Sequence, residues 1–168
     1  MQTCKPARTL AALAAAALLA HAPAFADAPP RNLDEVTLVG WLHVVDHDFA
    51  LTTVEAEVNG TVLVAPVSRT GRFTLALPVN TEAVIRFDHP GHVAKEVKVD
   101  THFAQDGEAG QHPRTIHMAV VLEQERHLAG YTYAGPVGSI GFEKGGGCVV
   151  VEKTRRMVPA RRGKAIEF

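Results

Sequence analysis

A stretch of strict alternation runs directly into Asn59-Gly60, and that junction limits the possible folds more than any other feature of the chain. Val54, Ala56 and Val58 alternate with Thr53, Glu55 and Glu57, an apolar face against a polar one at a period of two residues. Asn and Gly both tolerate positive φ, so the pair closes a hairpin, and residues 61–67 read as its return strand. Ser68-Arg69-Thr70-Gly71 turns the chain again, after which Phe73, Leu75 and Leu77 alternate with Arg72, Thr74 and Ala76 until Pro78. Ala83, Ile85 and Phe87 carry the next strand, Val93, Val97 and Val99 the one after, and Ile116, Met118, Val120 and Leu122 the last clean one. Residues 36–45 are apolar at nearly every position, which predicts a strand covered on both faces. No window longer than about ten residues has a capped helical period. Short strands with a turn every 8–12 residues or so predict an all-β sandwich.

The N-terminus has a different character. Lys5 and Arg8 precede an Ala/Leu run over residues 10–20, and Ala24-Phe25-Ala26 forms a small-x-small site before Asp27 and Pro29-Pro30. This is the layout of a cleavable secretory signal peptide over residues 1–26, with a linker at 27–35. The apolar run is shorter than the roughly 20 residues of a membrane span. No second run follows, so the mature chain is expected to lack a transmembrane segment and to be periplasmic or secreted. Losing Lys5 and Arg8 takes the 17 Lys and Arg to 15 against 18 Asp and Glu, a net charge of −3 that argues against nucleic acid as a partner. Cys148 is then the one remaining thiol, so stability must come from the core and not from an internal disulfide.

Two segments leave the strand rhythm. Residues 100–113 form a long polar loop, the kind that is usually functional or disordered. Beyond the sandwich, taken as residues 36–124, glycine-rich turns separate residues 137–142 from 148–152 and predict a C-terminal hairpin within 125–168. Lys153, Arg155, Arg156, Arg161, Arg162 and Lys164 make the end basic, read as a frayed, solvated terminus or as an anchor to anionic lipid or polymer.

Val39-Gly40, the Asp46-His47-Asp48 turn, Leu51 leading into Val54-Glu55-Ala56-Glu57-Val58-Asn59-Gly60, then Gly71-Arg72-Phe73-Thr74-Leu75, Leu77-Pro78, Phe87 and Pro90-Gly91-His92 occur in an order that resembles the carboxypeptidase regulatory-like domain. The resemblance spans residues 36–122. It implies a transthyretin-like seven-stranded β-sandwich serving as an accessory or binding module without catalytic activity. Residues 133–141 also resemble C-terminal extensions on bacterial surface proteins that carry this domain. Ser68-Arg69-Thr70 stands where the family commonly has Thr-Asp, and His92 where an aromatic often follows the glycine.

Little in the sequence points to covalent catalysis. Ser68 and Ser139 are the two serines, and Val137 occupies the first glycine position of a nucleophile elbow around Ser139, which reads instead as a serine in a tight turn. Cys148 opens an apolar strand and reads as a buried structural thiol. The histidines carry more promise, since imidazole is the commonest transition-metal ligand where thiols are scarce. His89-Pro90-Gly91-His92 places Pro and Gly at the centre of a type II turn, which brings both imidazoles within reach of one Cu, Ni or Zn ion at an exposed tip. Such binding weakens as pH falls through about 6.5 and imidazole protonates. His43 and His47 come next. About 13 Å separates them along a straight strand, and they converge only if the chain turns at Asp46.

Three functions follow as expectations. The first is an exported, non-catalytic binding module whose partner is an envelope protein, a glycan or a membrane surface. The second is a histidine-based metal binder using His89 and His92. The third is a small hydrolase with His102, Asp106, Glu108 and His112 of the 100–113 loop as bases or metal ligands.

Overall fold

The computed structural model describes residues 33–45 and 47–160; the proposed signal peptide and Arg161, Arg162 and Lys164 lie outside them. The fold is an all-β sandwich. Its strands are β1 (Glu35–His43), β2 (Thr53–Val58), β3 (Thr61–Val64), β4 (Arg72–Pro78), β5 (Glu82–Asp88), β6 (Lys95–Asp100), β7 (Arg114–Val121), β8 (Tyr131–Tyr133), β9 (Gly138–Phe142), β10 (Val149–Lys153) and β11 (Met157–Pro159). Among the described residues the helical turns are short 3-10 turns at Glu108–Gln111 and Glu125–His127. One sheet has three strands in the order β4-β1-β7, the other six in the order β10-β9-β6-β5-β2-β3, and β11-β8 form a small ladder of their own.

The alternations in the sequence decide which side chains meet between the sheets. Val36, Leu38 and Leu42 of β1, with Phe73, Leu75 and Leu77 of β4, face Val54 and Ala56 of β2, Ile85 and Phe87 of β5 and Val99 of β6. Burial of each large apolar side chain stabilises the fold by about 1.5–3 kcal/mol. Phe73 and Phe87 join the sheets directly, ring centroids 5.5 Å apart. Gly40 makes that contact possible: a Cβ built there would sit 2.0 Å from Cζ of Phe73. The hairpin after Val58 closes as expected, with Asn59 at φ 50° and Gly60 at φ 77°.

The C-terminal hairpin β9-β10 extends the larger sheet. β9 runs parallel to β6, pairing Val97 with Gly138 and Val99 with Ile140, and β10 pairs back onto β9. Arg114 bonds the carbonyl of Gly147, and the backbone N–H of Gly145 donates to Asp106 Oδ2 at 2.7 Å, so the 100–113 segment is fastened to the β9-β10 turn. At its start, fully buried Thr101 accepts the Thr81 N–H at 2.9 Å and shares its hydroxyl proton between the carbonyls of Pro78 and Thr81.

Several expectations need correction. Residues 36–45 are only partly covered on the outer face: Val39 is buried there, but Trp41, His43 and Val45 are exposed. Trp41, 39% exposed, leans there between the Arg72 guanidinium and the His117 ring, 5.9 and 6.0 Å away. Cys148 is exposed and not buried, because it leads into an edge strand whose Val149, Val150 and Val151 are themselves exposed. Ser139 lies within β9, opposite Glu152, and not in a turn. The basic segment is no frayed end as far as Ala160, since Met157, Val158 and Pro159 pair with Tyr133, Thr132 and Tyr131.

Candidate functional site

Two places in this fold combine unusual geometry with chemistry. The first is a cleft of about 510 Å³ along β7. The six-stranded sheet is wider than the three-stranded one, so β9 and β10 overhang the edge at which β7 ends the smaller sheet. Every residue from Ile116 to Val121 lines the cleft. A strand presents alternate residues to a face, so an unbroken run of lining residues means that the cleft exposes the strand's edge, with its backbone N–H and C=O groups. Val97, Ile140 and Val151 come from the same side of the overhanging sheet, as their register shows, and give the cleft an apolar wall. Lys153 and Arg155 stand on its rim.

Glu123, just past the end of β7, fixes one end of this cleft. Its carboxylate pairs with Lys95 at 2.7 Å, accepts the Tyr133 hydroxyl and pairs with Arg155. Burial alone pushes the Glu123 carboxyl up, but the hydrogen bonds from Lys95 and Tyr133 and the charges of Lys95 and Arg155 outweigh it and hold the group below its ordinary value. The Lys95 ammonium also donates to the Val121 carbonyl and lies 5.3 Å from the centre of the Tyr133 ring. β6, β7, β8 and the segment after β10 therefore meet at one carboxylate.

The second place is the corner formed by His89-Pro90-Gly91-His92. The chain turns there as the sequence predicts: the His92 N–H donates to the His89 carbonyl at 3.1 Å and Gly91 takes φ 72°. The expected exposed tip is overturned, because His89 and His92 are 6% and 5% exposed. The segment following β7 folds over them, with Val93 N–H bonded to Glu123 O at 2.8 Å and Glu125 N–H to Gly91 O at 3.0 Å. The two rings meet edge to face, centroids 4.7 Å apart. His89 Nδ1 lies 2.9 Å from the Thr52 hydroxyl, and His92 Nδ1 lies 3.1 Å from the Pro90 carbonyl. Asp88 turns away to pair with Arg86 at 3.0 Å.

The remaining candidates do not converge. The chain does turn between Val44 and His47, yet among the described residues no contact joins the exposed His43 and His47 rings. In the 100–113 loop, the His102 imidazole binds Asp100 at 2.6 Å, Asp106 is occupied by Gly145, and Glu108 and His112 are exposed. Burial pushes the Asp100 carboxyl up, but hydrogen bonds from the backbone and ring of His102 hold it below its ordinary value. No group of three or more His, Cys, Asp and Glu side chains is placed to hold a metal ion among the described residues. No helix among them is long and apolar enough to cross a membrane. Glu123, Gln124 and Tyr133 escaped the sequence reading. The signal available was a polar pair placed directly after the last apolar residue of a core strand.

No family model and no curated protein matches the chain. Among solved structures, the crystal structure of S.CueP is similar to it at 12% identity and a TM-score of 0.33, over 55% of this chain and 64% of that one. The chain thus spans under two thirds of the length of that protein, and the two sites described above rest on their own geometry.

Proposed function

We propose that the chain is an exported, non-catalytic β-sandwich that binds an extended segment of an envelope protein along the free edge of β7. The observation that carries this reading is the uninterrupted lining of the cleft by residues 116–121. Short of Val121, whose carbonyl Lys95 occupies, this strand edge offers alternating backbone donors and acceptors at the spacing of another polypeptide, which neither a glycan nor a bilayer reproduces. Among the described residues the β10 edge is equally unpaired but open on both faces, whereas a strand added to β7 is covered by Val97, Ile140 and Val151. Backbone bonds supply affinity, and the apolar wall selects apolar side chains at alternate positions. Lys153 and Arg155 favour an acidic residue at the end of the segment nearest them.

Export is supported by the basic start, the Ala/Leu run and the Ala24-Phe25-Ala26 site. The regulatory-like order of motifs over residues 36–122 supports an accessory role. The chemistry of the serines supports it too: Ser68 Oγ is engaged by the Arg72 N–H and the Thr70 hydroxyl, each at 3.0 Å, and Ser139 sits in the middle of a paired strand.

The test is selection of a binder from a displayed library of short random peptides, followed by affinity measurement against the wild type and Val151→Glu. Val151 is 59% exposed, so the charge is tolerated by the fold while sitting on the cleft wall. Selected peptides are expected to alternate apolar with polar residues and to lose at least about tenfold in affinity for the variant, roughly 1.4 kcal/mol. Unchanged affinity overturns the placement, and turnover in a hydrolase screen that single substitutions abolish overturns the non-catalytic reading.

A further inference from the structure

The unpaired edge of β7 has a definite end. Leu122 donates its N–H to the His43 carbonyl, so even-numbered residues face β1. By strand alternation His117, Ala119 and Val121 turn their N–H and C=O groups to the cleft. Beyond Val121 that same side is already filled. The Val93 N–H takes the Glu123 carbonyl at 2.8 Å, and His92 bridges Gln124. Lys95 then donates its ammonium to the Val121 carbonyl at 2.5 Å. A segment added along β7 therefore has to stop at Val121, where the chain entering β6 takes over the edge. The last groups on that edge are also unequal: no strand among the described residues pairs with the Val121 N–H, whereas the Val121 carbonyl is used by Lys95. An internal residue placed there can accept the one, but the N–H that follows it is left without an acceptor, which is unfavourable in a covered groove. A terminal carboxylate accepts and has no further N–H to place.

The charge at this end decides which terminus fits. Lys95 and Val97 lie on one face of β6, and the register of β9 and β10 puts Lys153 on that face too, across Gly138. Arg155 lines the same end of the cleft. Glu123 offsets part of this charge, while alternation turns Glu152 to the opposite face of β10. The surplus is positive, so it attracts a carboxylate and repels an N-terminal ammonium. Gly138 adds room, because the wall carries no side chain between Val97 and Lys153.

We propose that the segment bound by β7 is a protein C-terminus, laid parallel to β7 with its terminal carboxylate at the Val121 N–H between Lys95, Lys153 and Arg155. This occupant presupposes the β7 edge as the binding site and gives it a direction. A parallel segment reaches Val121 with its carboxyl end, and an antiparallel one with its amino end.

Two libraries of short random peptides separate the possibilities, one displayed with free C-termini and the other with its C-termini fused to the carrier. Binders are expected from the first. The strongest is then synthesised as the free acid, as the C-terminal amide, and with Gly-Ser appended after its last residue. The amide and the extended form should bind about tenfold or more weaker than the acid, as expected when a charge-assisted hydrogen bond is lost. Lys153→Gln should narrow the acid-to-amide ratio several-fold. Lys98→Gln, on the opposite face of β6 and paired with Glu82 at 2.9 Å, should leave that ratio unchanged. A nitroxide on the N-terminus of the peptide should broaden the amide signals around Thr115 and spare that of Val121. Equal affinity of acid, amide and extended peptides, with Val151→Glu still weakening all of them, overturns the terminal carboxylate and leaves the edge as the site of an internal segment. Broadening centred on Val121 overturns the parallel direction. Peptides indifferent to Val151→Glu, or no binder from either library, remove the edge itself and this occupant with it.

Discussion

Replacing Glu123 by Gln removes the charge at which Lys95, Tyr133 and Arg155 meet. Lys95 is left with its ammonium in place, its side chain only 11% exposed, and Glu123 itself is 24% exposed. An exposed pair contributes about 0–1 kcal/mol, whereas removing one partner of a buried pair costs about 3–5 kcal/mol. With both partners partly buried, and with Tyr133 still able to donate to the amide oxygen, a loss of about 2–3 kcal/mol is expected. A domain of this size loses about 3–5 °C per kcal/mol, so the thermal midpoint should fall by roughly 6–15 °C at pH 7. Urea unfolding at a series of pH values is the assay. The folded-state carboxyl is held below its ordinary value, so the unfolded chain takes up the proton first as pH falls. The gap between wild type and variant should therefore be constant from pH 7 down to about 5. It should shrink below the ordinary carboxylate value of about 4.3 as the folded group protonates in turn. A gap under about 0.5 kcal/mol at pH 7, within the range of ordinary surface changes, would refute the reasoning, as would a gap that widens in acid.

Gly40→Ala should destabilise by about 3 kcal/mol through overpacking, because the new methyl meets the Phe73 ring at 2.0 Å. Pairing it with Phe73→Leu should recover part of the loss in a chemical unfolding cycle, and an additive double mutant would contradict the contact. Thr101→Val keeps the volume but strands the Thr81 N–H, and should cost about 1–3 kcal/mol. Unchanged stability there would mean that the 100–113 loop is not anchored by that hydroxyl. N-terminal sequencing of protein recovered from the envelope fraction should begin at Asp27, and recovery of the chain with Met1 to Ala26 still attached would remove the export argument.

The strands of the sandwich were legible because they obey one rule. An alternation such as Phe73, Leu75, Leu77 needs no tertiary information, and Asn59-Gly60 carries its own backbone geometry. The β9-β10 hairpin was legible from its apolar runs and glycines, but its docking was not, since parallel pairing to β6 is a long-range contact that leaves no local mark. β8 and β11 escaped notice at three residues each, too short to show a period. At the candidate sites the turn at His89 could be read from Pro90-Gly91, yet its burial could not, because the cover is supplied by Glu123, Gln124 and Glu125. The cleft is a difference in width between two sheets, and no residue encodes that alone.

Amide hydrogen exchange along β7 tests the account's central claim most directly. In the free protein, the amides of residues 116–121 that point away from β1 should exchange quickly, since no strand among the described residues covers that edge. On addition of a saturating selected peptide those same amides should slow by about a hundredfold or more, the protection expected of newly formed ladder bonds. The amides bonded to β1, and those of the β3 and β10 edges, should keep their rates. Protection at β3 or β10 with β7 unchanged would contradict the claim and move the binding edge to the other sheet.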